Sequence, residues 1–243
     1  MLEPLLRLSS RDPGVRMETV RCADLTAERL HELHRLANQL AAEDLEHFAA
    51  HAETCTLVNV FRRADTGEIV GFQFWTTVPI DLPRSHIIAG GKLRMLPEFR
   101  NRGLHLLAGL EFFLRTKLRH PLTRHYRVSL ASIFGFVSLT GSLAEYTMFG
   151  GTGEPRALRE AVIAWARRSD FVFRPESGLF FVDIFTTEET LRRYPDSFFE
   201  KPGARAYIAA NPEFRTNGSY VAFWFRFTPR NLLAMCRAVA RKL

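Results

Sequence analysis

The sequence predicts an α/β protein built on a mixed sheet flanked by helices. Three observations carry that expectation. Apolar residues recur alternately at period two and at helical spacing, a turn sequence joins two β-rich runs, and one strand passes through a turn straight into a strong helix. The chain has 243 residues, 47% of them hydrophobic, which is enough to bury a full core.

Residues 17–22 read as a short strand, and Thr26 can cap a helix whose Leu30, Leu33, Ala37 and Leu40 share one face. A second helical stretch covers about 42–51. Residues 56–61 and 69–77, rich in β-branched and aromatic side chains, flank Asp65-Thr66-Gly67, where the glycine supplies a positive φ for a hairpin turn. The next strand, 86–95, contains Gly90-Gly91. Paired glycines weaken a strand, so they point to a bulge, to a close backbone approach or to a loop that breaks the strand in two. Residues 103–118 form a helix with Leu106, Leu110, Phe113, Leu114 and Leu118 on one face, stopped before His120-Pro121. A strand at 126–134 and a helix at 136–148 follow, the helix closing at Gly150-Gly151. Residues 152–243 add a basic helix (155–168), strands at 178–185 and 219–228, a short helix (188–193) and a last helix capped by Thr228 with Pro229 at its first position. The expected division is a core over 1–151 and an α+β extension over 152–243. The extension packs on the core because strand 219–228 is apolar on both faces and needs cover.

Composition narrows the function classes. Cys22, Cys55 and Cys236 lie far apart with no CxxC or metal-like spacing, which argues against a disulfide framework or a zinc site and fits a reducing compartment. No apolar run reaches the ~18 residues of a membrane span, and the Met1-Leu2-Glu3-Pro4 start has no secretory pattern, so a cytoplasmic location is expected. The formal charge of +7 favours anionic partners without choosing among them. Of the aromatic residues 21 are Phe, against five Tyr and three Trp, so either the core or an apolar pocket is Phe-lined. His31, His34, His47 and His51 have no matching acidic ligand pattern and read as surface residues. Triad, nucleophile-elbow, Walker and dinucleotide signatures are absent.

The segment from Leu93 to Leu106 carries the most chemistry. Where a strand turns into a helix, the first helical amides lack internal partners and stand at the positive end of the dipole, which makes an anion site. Gly103 lets a phosphate approach the backbone, and Arg100 and Arg102 supply charge. Here the sequence resembles the GNAT superfamily of acyl-CoA N-acyltransferases, whose pyrophosphate loop reads Arg or Gln, two residues, Gly, one residue, Gly or Ala. Pro97, Arg100, Gly103 and the apolar Leu104 match, while His105 departs where the family has a small residue. The family's order, strand, two helices, hairpin, strand, helix, strand, helix, covers about residues 16–150.

The resemblance implies a mostly antiparallel central sheet and an N-acyltransferase that binds acyl-CoA, or the phosphopantetheine of an acidic acyl carrier protein, with Arg100, Asn101, Arg102, Gly103, Leu104 and His105. It implies that the backbone at Leu93 and Met95 holds the pantetheine arm beside a bulge at Gly90-Gly91. It makes Tyr146 the general acid toward the leaving thiolate and needs no metal. For the base, His86, Glu98 and Glu68 stay open, as does a water relay. The expected acceptor is a small-molecule or peptide amine, attacked directly within a ternary complex. An N-acyl amino acid or autoinducer-type synthase is a related alternative. A non-catalytic module of the same fold that binds a membrane surface or nucleic acid is another, the nucleic acid being disfavoured because no aromatic-basic motif appears.

Overall fold

A computed structural model of the chain describes residues 14–40, 44–100, 102–169, 171–186 and 188–241. The described chain divides into two compact units. The first holds residues up to Thr77, Ile88–Thr123 and the C-terminal end from Cys236, and the second holds Val78–Ile87 and Arg124–Met235.

In the first unit the order is β1 (Val15–Arg21), α1 (Ala27–Leu40), α2 (Leu45–Glu53), β2 (Leu57–Arg63), β3 (Ile69–Pro79), β4 (Ser85–Met95) and α3 (Leu104–Arg119). The ends of β3 and β4 that flank residues 80–84 belong to the second unit. Strand β2 pairs antiparallel with β1, Val15 opposite Arg63, and with β3, Leu57 opposite Trp75. Gly67 takes φ +74° in the hairpin turn, as a short turn between twisted strands requires. A register shift at Phe61/Arg62 brings Ile69 opposite Arg62.

Alternation along these strands feeds two faces. Val58, Val60, Phe72 and Phe74 pack with Leu33 and Ala37 of α1 and Phe48 of α2 into one buried cluster. On the other face Trp75 stacks on Phe112 of α3, centroids 5.4 Å apart, and Gly109 leaves room for the indole. Glu111 of α3 is buried there. Its carboxylate accepts from Thr19 Oγ1 at 2.9 Å, Asn59 Nδ2 at 2.8 Å and Arg115 Nε at 2.8 Å, so the buried charge is compensated.

The second unit contains β5 (Arg124–Ala131), α4 (Ile133–Thr140), β6 (Thr147–Met148), α5 (Arg156–Arg168), β7 (Val172–Arg174), β8 (Leu179–Phe181), α6 (Glu188–Arg192), α7 (Asp196–Phe199), α8 (Pro202–Ala210), β9 (Ser219–Arg226) and α9 (Pro229–Ala240), whose last residues belong to the first unit. Strand β9 is its centre. It pairs antiparallel with β5 from Tyr126↔Arg226 to Ala131↔Val221, with β6 and with β8, and β8 pairs with β7. Phe136, Tyr207 and Phe223 fill the space beneath, and the Tyr207 hydroxyl donates to the Ala131 carbonyl at 3.1 Å.

The fold class is the expected one, a mixed, mostly antiparallel sheet flanked by helices, and the element order from β1 to α4 is the one expected, strand, two helices, hairpin, strand, helix, strand, helix. Two expectations change, while strand β4 runs through its glycines unbroken, as expected. The helix expected at 136–148 is α4, Ile133–Thr140. It closes with the Gly141 amide bonded to the Val137 carbonyl, and the chain then turns into β6. The strand expected at 178–185 spans Leu179–Phe181; the Val182 amide still bonds the Gly218 carbonyl, and the chain then bends at Asp183, φ +54°. The short elements β7 and α7, each with too few residues to show a period, were not anticipated, and neither was the nine-residue α8.

Candidate active site

Strand β4 delivers the chain into the loop that the sequence marks as a candidate anion site. Its approach to β3 depends on Gly71, where a Cβ would lie 2.5 Å from Met95 Sδ and 2.8 Å from the Arg94 carbonyl. A 3₁₀ turn at Pro97–Phe99 then reverses the chain, with the Arg100 amide closing on the Pro97 carbonyl. Arg100 Nε donates to the Met95 carbonyl at 3.1 Å and ties the turn to the strand end. Phe99 is buried under two guanidinium groups, Arg63 at 4.8 Å and Arg102 at 4.7 Å from the ring centroid. Arg102 Nη2 also donates to the Glu98 carbonyl. The loop is thus braced from three sides before any ligand arrives.

Gly103 opens α3 at φ +73°, a backbone that favours glycine, and no side chain caps the helix. The amides of Leu106 and Leu107 both bond the Gly103 carbonyl, and the amides before them have no acceptor within the helix. With no acidic residue in the first turn and two arginines before it, this end of a 16-residue helix is electropositive. Leu104 is buried and His105 half-buried, so the imidazole takes the place of the small residue without reaching full exposure. Asn101 lies outside the described residues. The expected anion ligands Arg100, Arg102, Gly103, Leu104 and His105 and the strand residues Leu93 and Met95 therefore share one continuous segment of the first unit. Leu93 is exposed at 41%, whereas Met95 is buried.

The irregularity expected at Gly90-Gly91 sits one residue further on. Lys92 has φ +43° inside β4, whereas the other described non-glycine residues with positive φ, Arg84 and Asp183, lie outside the strands. Successive strand residues normally face opposite sides. Here both turn to α2: a Cβ on Gly91 would meet His51 Nε2 at 2.8 Å, and Lys92 Nζ lies 5.7 Å from the centroid of Phe48. Two consecutive residues on one side mark a bulge. The left-handed backbone at a lysine costs on the order of 1 kcal/mol, which the surrounding packing holds in place.

Sequence reasoning missed the side chains gathered there. Burial lowers the Lys92 ammonium to about 8, helped by Arg94. Burial lowers His51 to about 4, helped by His47 and Arg94, so its imidazole is neutral. His51 also lies 3.7 Å from Cys55 Sγ and packs edge-on to Phe74, so it is no surface residue. The only signal in the sequence was the glycine pair, because the partner helix is some forty residues away.

The remaining candidates are placed differently. Glu98 and Glu68 are exposed and both pair with Arg63, at 3.6 Å and 3.2 Å, as braces of the turn and the hairpin. His86 is half-buried in the second unit, its ring 6.3 Å from that of His125. Tyr146 also belongs to the second unit. It stands in the turn before β6, not at a helix end. The buried Asn231 of α9 sets that turn: its Oδ1 accepts from the amides of Ala144 and Glu145 at 2.9 and 3.0 Å, and its Nδ2 donates to the carbonyls of Glu145 and Arg226. Those bonds, with the β6–β9 ladder, satisfy the backbone that a longer helix would have used. The Tyr146 ring packs edge-on against Phe136 and Phe223, and burial raises its hydroxyl, which stays protonated near neutral pH.

Among the described residues no group of three or more His, Cys, Asp or Glu is placed to hold a metal ion, and no helix is long and apolar enough to cross a membrane.

No protein-family model matches the chain, and neither does any curated protein. Solved structures with similar folds include a probable N-acyltransferase of Enterococcus faecalis V583 (TM-score 0.39, 13% identity), over 55% of this chain and 33% of that one, so the chain spans about a third of its length. They also include Escherichia coli ElaA (TM-score 0.36, 12% identity), over 52% of this chain and 86% of that one. An acyl-CoA N-acyltransferase from Pseudomonas aeruginosa (TM-score 0.33, 13% identity) aligns over 66% of this chain and 90% of that one. Likeness of this degree carries no argument about what the chain does.

Proposed function

We propose that the chain is a GNAT-type N-acyltransferase that takes an acyl group from acyl-CoA and passes it to an amine by direct attack. The observation that supports this reading is one continuous segment: a bulged strand, a braced turn, a left-handed glycine and an uncapped helix start with two arginines. The amides at the start of α3, with Arg100 and Arg102, suit a pyrophosphate. A pantetheine arm laid back along β4 would bring its thioester toward the bulge. From Met95 to Lys92 the strand covers about 10 Å.

In the reaction the amine nitrogen bonds to the thioester carbonyl carbon and the C–S bond breaks. The nitrogen loses a proton to a base and the thiolate gains one. Tyr146, protonated by burial, fits the acid role. Alignment of the two substrates and polarisation of the carbonyl by backbone donors supply most of the rate. A carrier-protein phosphopantetheine presents the same chemistry, and the net positive charge suits such a donor.

The test is calorimetry with CoA and with an acyl carrier protein. Arg100→Ala with Gly103→Glu places negative charge and bulk where phosphate would sit, and should weaken binding of the donor at least tenfold with the thermal melt preserved. Unchanged affinity for both donors would overturn the reading. In the same assay Tyr146→Phe should lower turnover by about 10²-fold at unchanged donor affinity.

A further inference from the structure

We propose that Glu111 is a positioning residue for the thioester donor: its buried carboxylate fixes α3 at one register on the sheet and so sets the helix start at Gly103 against the end of β4. This inference rests on the acyltransferase reading and adds a determinant of donor affinity about 12 Å along the helix from Gly103.

Leu104, Leu107 and Glu111 follow one another at i, i+3 and i+7 and are all buried, so Glu111 occupies a place in the apolar stripe that α3 turns to the sheet. An apolar residue is the ordinary choice there, since a carboxylate is almost never fully buried unless it is paired. Glu111 is 2% exposed and takes its partners from two strands and from its own helix. Thr19 Oγ1 lies 2.9 Å from both carboxylate oxygens, Asn59 Nδ2 donates to Oε2 at 2.8 Å, and Arg115 Nε and Nη2 reach Oε1 at 2.8 and 2.7 Å. Thr19 and Asn59 stand opposite each other in the β1–β2 ladder, and Asn59 Nδ2 also donates to Thr19 Oγ1 at 2.9 Å. The carboxylate therefore docks on a pair of polar groups that the sheet itself holds in place.

Replacing a buried ion pair by apolar side chains is often neutral or stabilising, so stability alone does not call for a carboxylate here. Direction does. The apolar contacts of α3 hold it to the sheet but oppose sliding weakly, because the hydrophobic effect has no direction. Trp75, stacked on Phe112 at 17° and lying over Gly109, is a smooth contact of this kind. Short charge-assisted hydrogen bonds are lost on small displacements, and here they come from β1 and β2 together. Helix α3 is continuous from Leu104 to Arg119, so what is fixed at Glu111 is fixed at the helix start. A misplacement of about 1 Å at a binding group can cost about 10²-fold.

Calorimetry with CoA, urea unfolding and steady-state kinetics test the proposal. Glu111→Met with Arg115→Met removes both charges together and keeps the stripe filled. The double variant should unfold at a urea midpoint no lower than that of the wild type, yet bind CoA about tenfold more weakly or worse. In turnover the loss should appear in KM for the donor, with kcat at saturating donor within about threefold of wild type, a split that a merely structural role would not produce. Thr19→Val, which exchanges one half-buried hydroxyl for a methyl group, should lower CoA affinity about threefold in a folded protein and keeps the test open if the double variant does not fold. Unchanged CoA affinity in either folded variant would overturn the proposal, as would a urea midpoint that falls in step with affinity. If wild-type protein binds CoA and the variants match it, only Glu111 loses its role. If wild-type protein binds neither CoA nor an acyl carrier protein, the acyltransferase reading fails and Glu111 fails with it.

Discussion

His51 shows how a single side chain converts burial into a pH dependence. In an unfolded chain its imidazole titrates near 6.5, whereas in the fold burial lowers it to about 4. Between those values the unfolded chain binds a proton that the folded chain refuses. The contribution is complete above about pH 6.5 and falls away as the pH drops toward 4, by up to ~1.4 kcal/mol per unit in that window. Urea unfolding should show a lower midpoint near pH 4.5 than near pH 7, and His51→Gln should shrink the gap. An equal gap in both proteins would mean that His51 is solvated. The thiols of Cys22 and Cys55 obey the same physics with the opposite sign: burial pushes them up to about 12 and about 11, so both stay protonated and unreactive near neutral pH. That agrees with the absence of any cysteine nucleophile motif. The residue environment of His51 was not readable, because surface and buried histidines share one letter and only the packing of α2 on β4 separates them.

At the scale of elements, the hairpin and α3 were legible because their signals are local. A turn glycine between β-rich runs and an apolar stripe ended by His120-Pro121 specify themselves. Helix α4 was overrun for the opposite reason. Residues 141–148 could extend a helix, but Asn231, 86 residues beyond Glu145, offers their backbone better partners, and β9 recruits Thr147 and Met148 into a strand. Strand β4 lies between these cases. Its glycines announced an irregularity, and the structure put the left-handed residue at Lys92. The approach of β3 to β4 can be tested at Gly71. Gly71→Ala would drive a methyl group into Met95 Sδ and the Arg94 carbonyl, and because one of those is backbone it should cost about 1–3 kcal/mol in urea unfolding. Wild-type stability in that variant would show that the two strands are not so closely held there.

For the whole molecule, the question is how far the chain folds without its last third. Strand β9 supplies the antiparallel partner of β5 from Tyr126 to Ala131 and buries Phe223 and Phe225. A fragment ending after Gly151 should therefore expose the β5 edge and the face of Phe136, and be insoluble or bind hydrophobic dyes without a cooperative melt. A soluble, cooperatively melting fragment with full acyl transfer would make residues 152–243 a separate domain. The sequence by itself determined the element order from β1 to α3, the fold class and the strand-turn-helix junction at Gly103, because each follows from periodicity and turn chemistry within a few residues. Tertiary structure alone decided the end of α4, the placing of Tyr146 by Asn231, and the gathering of Lys92, His51 and Cys55 at the bulge. Those depend on which distant backbone and side-chain groups come within a few ångströms, and burial then sets their protonation, which no local pattern encodes.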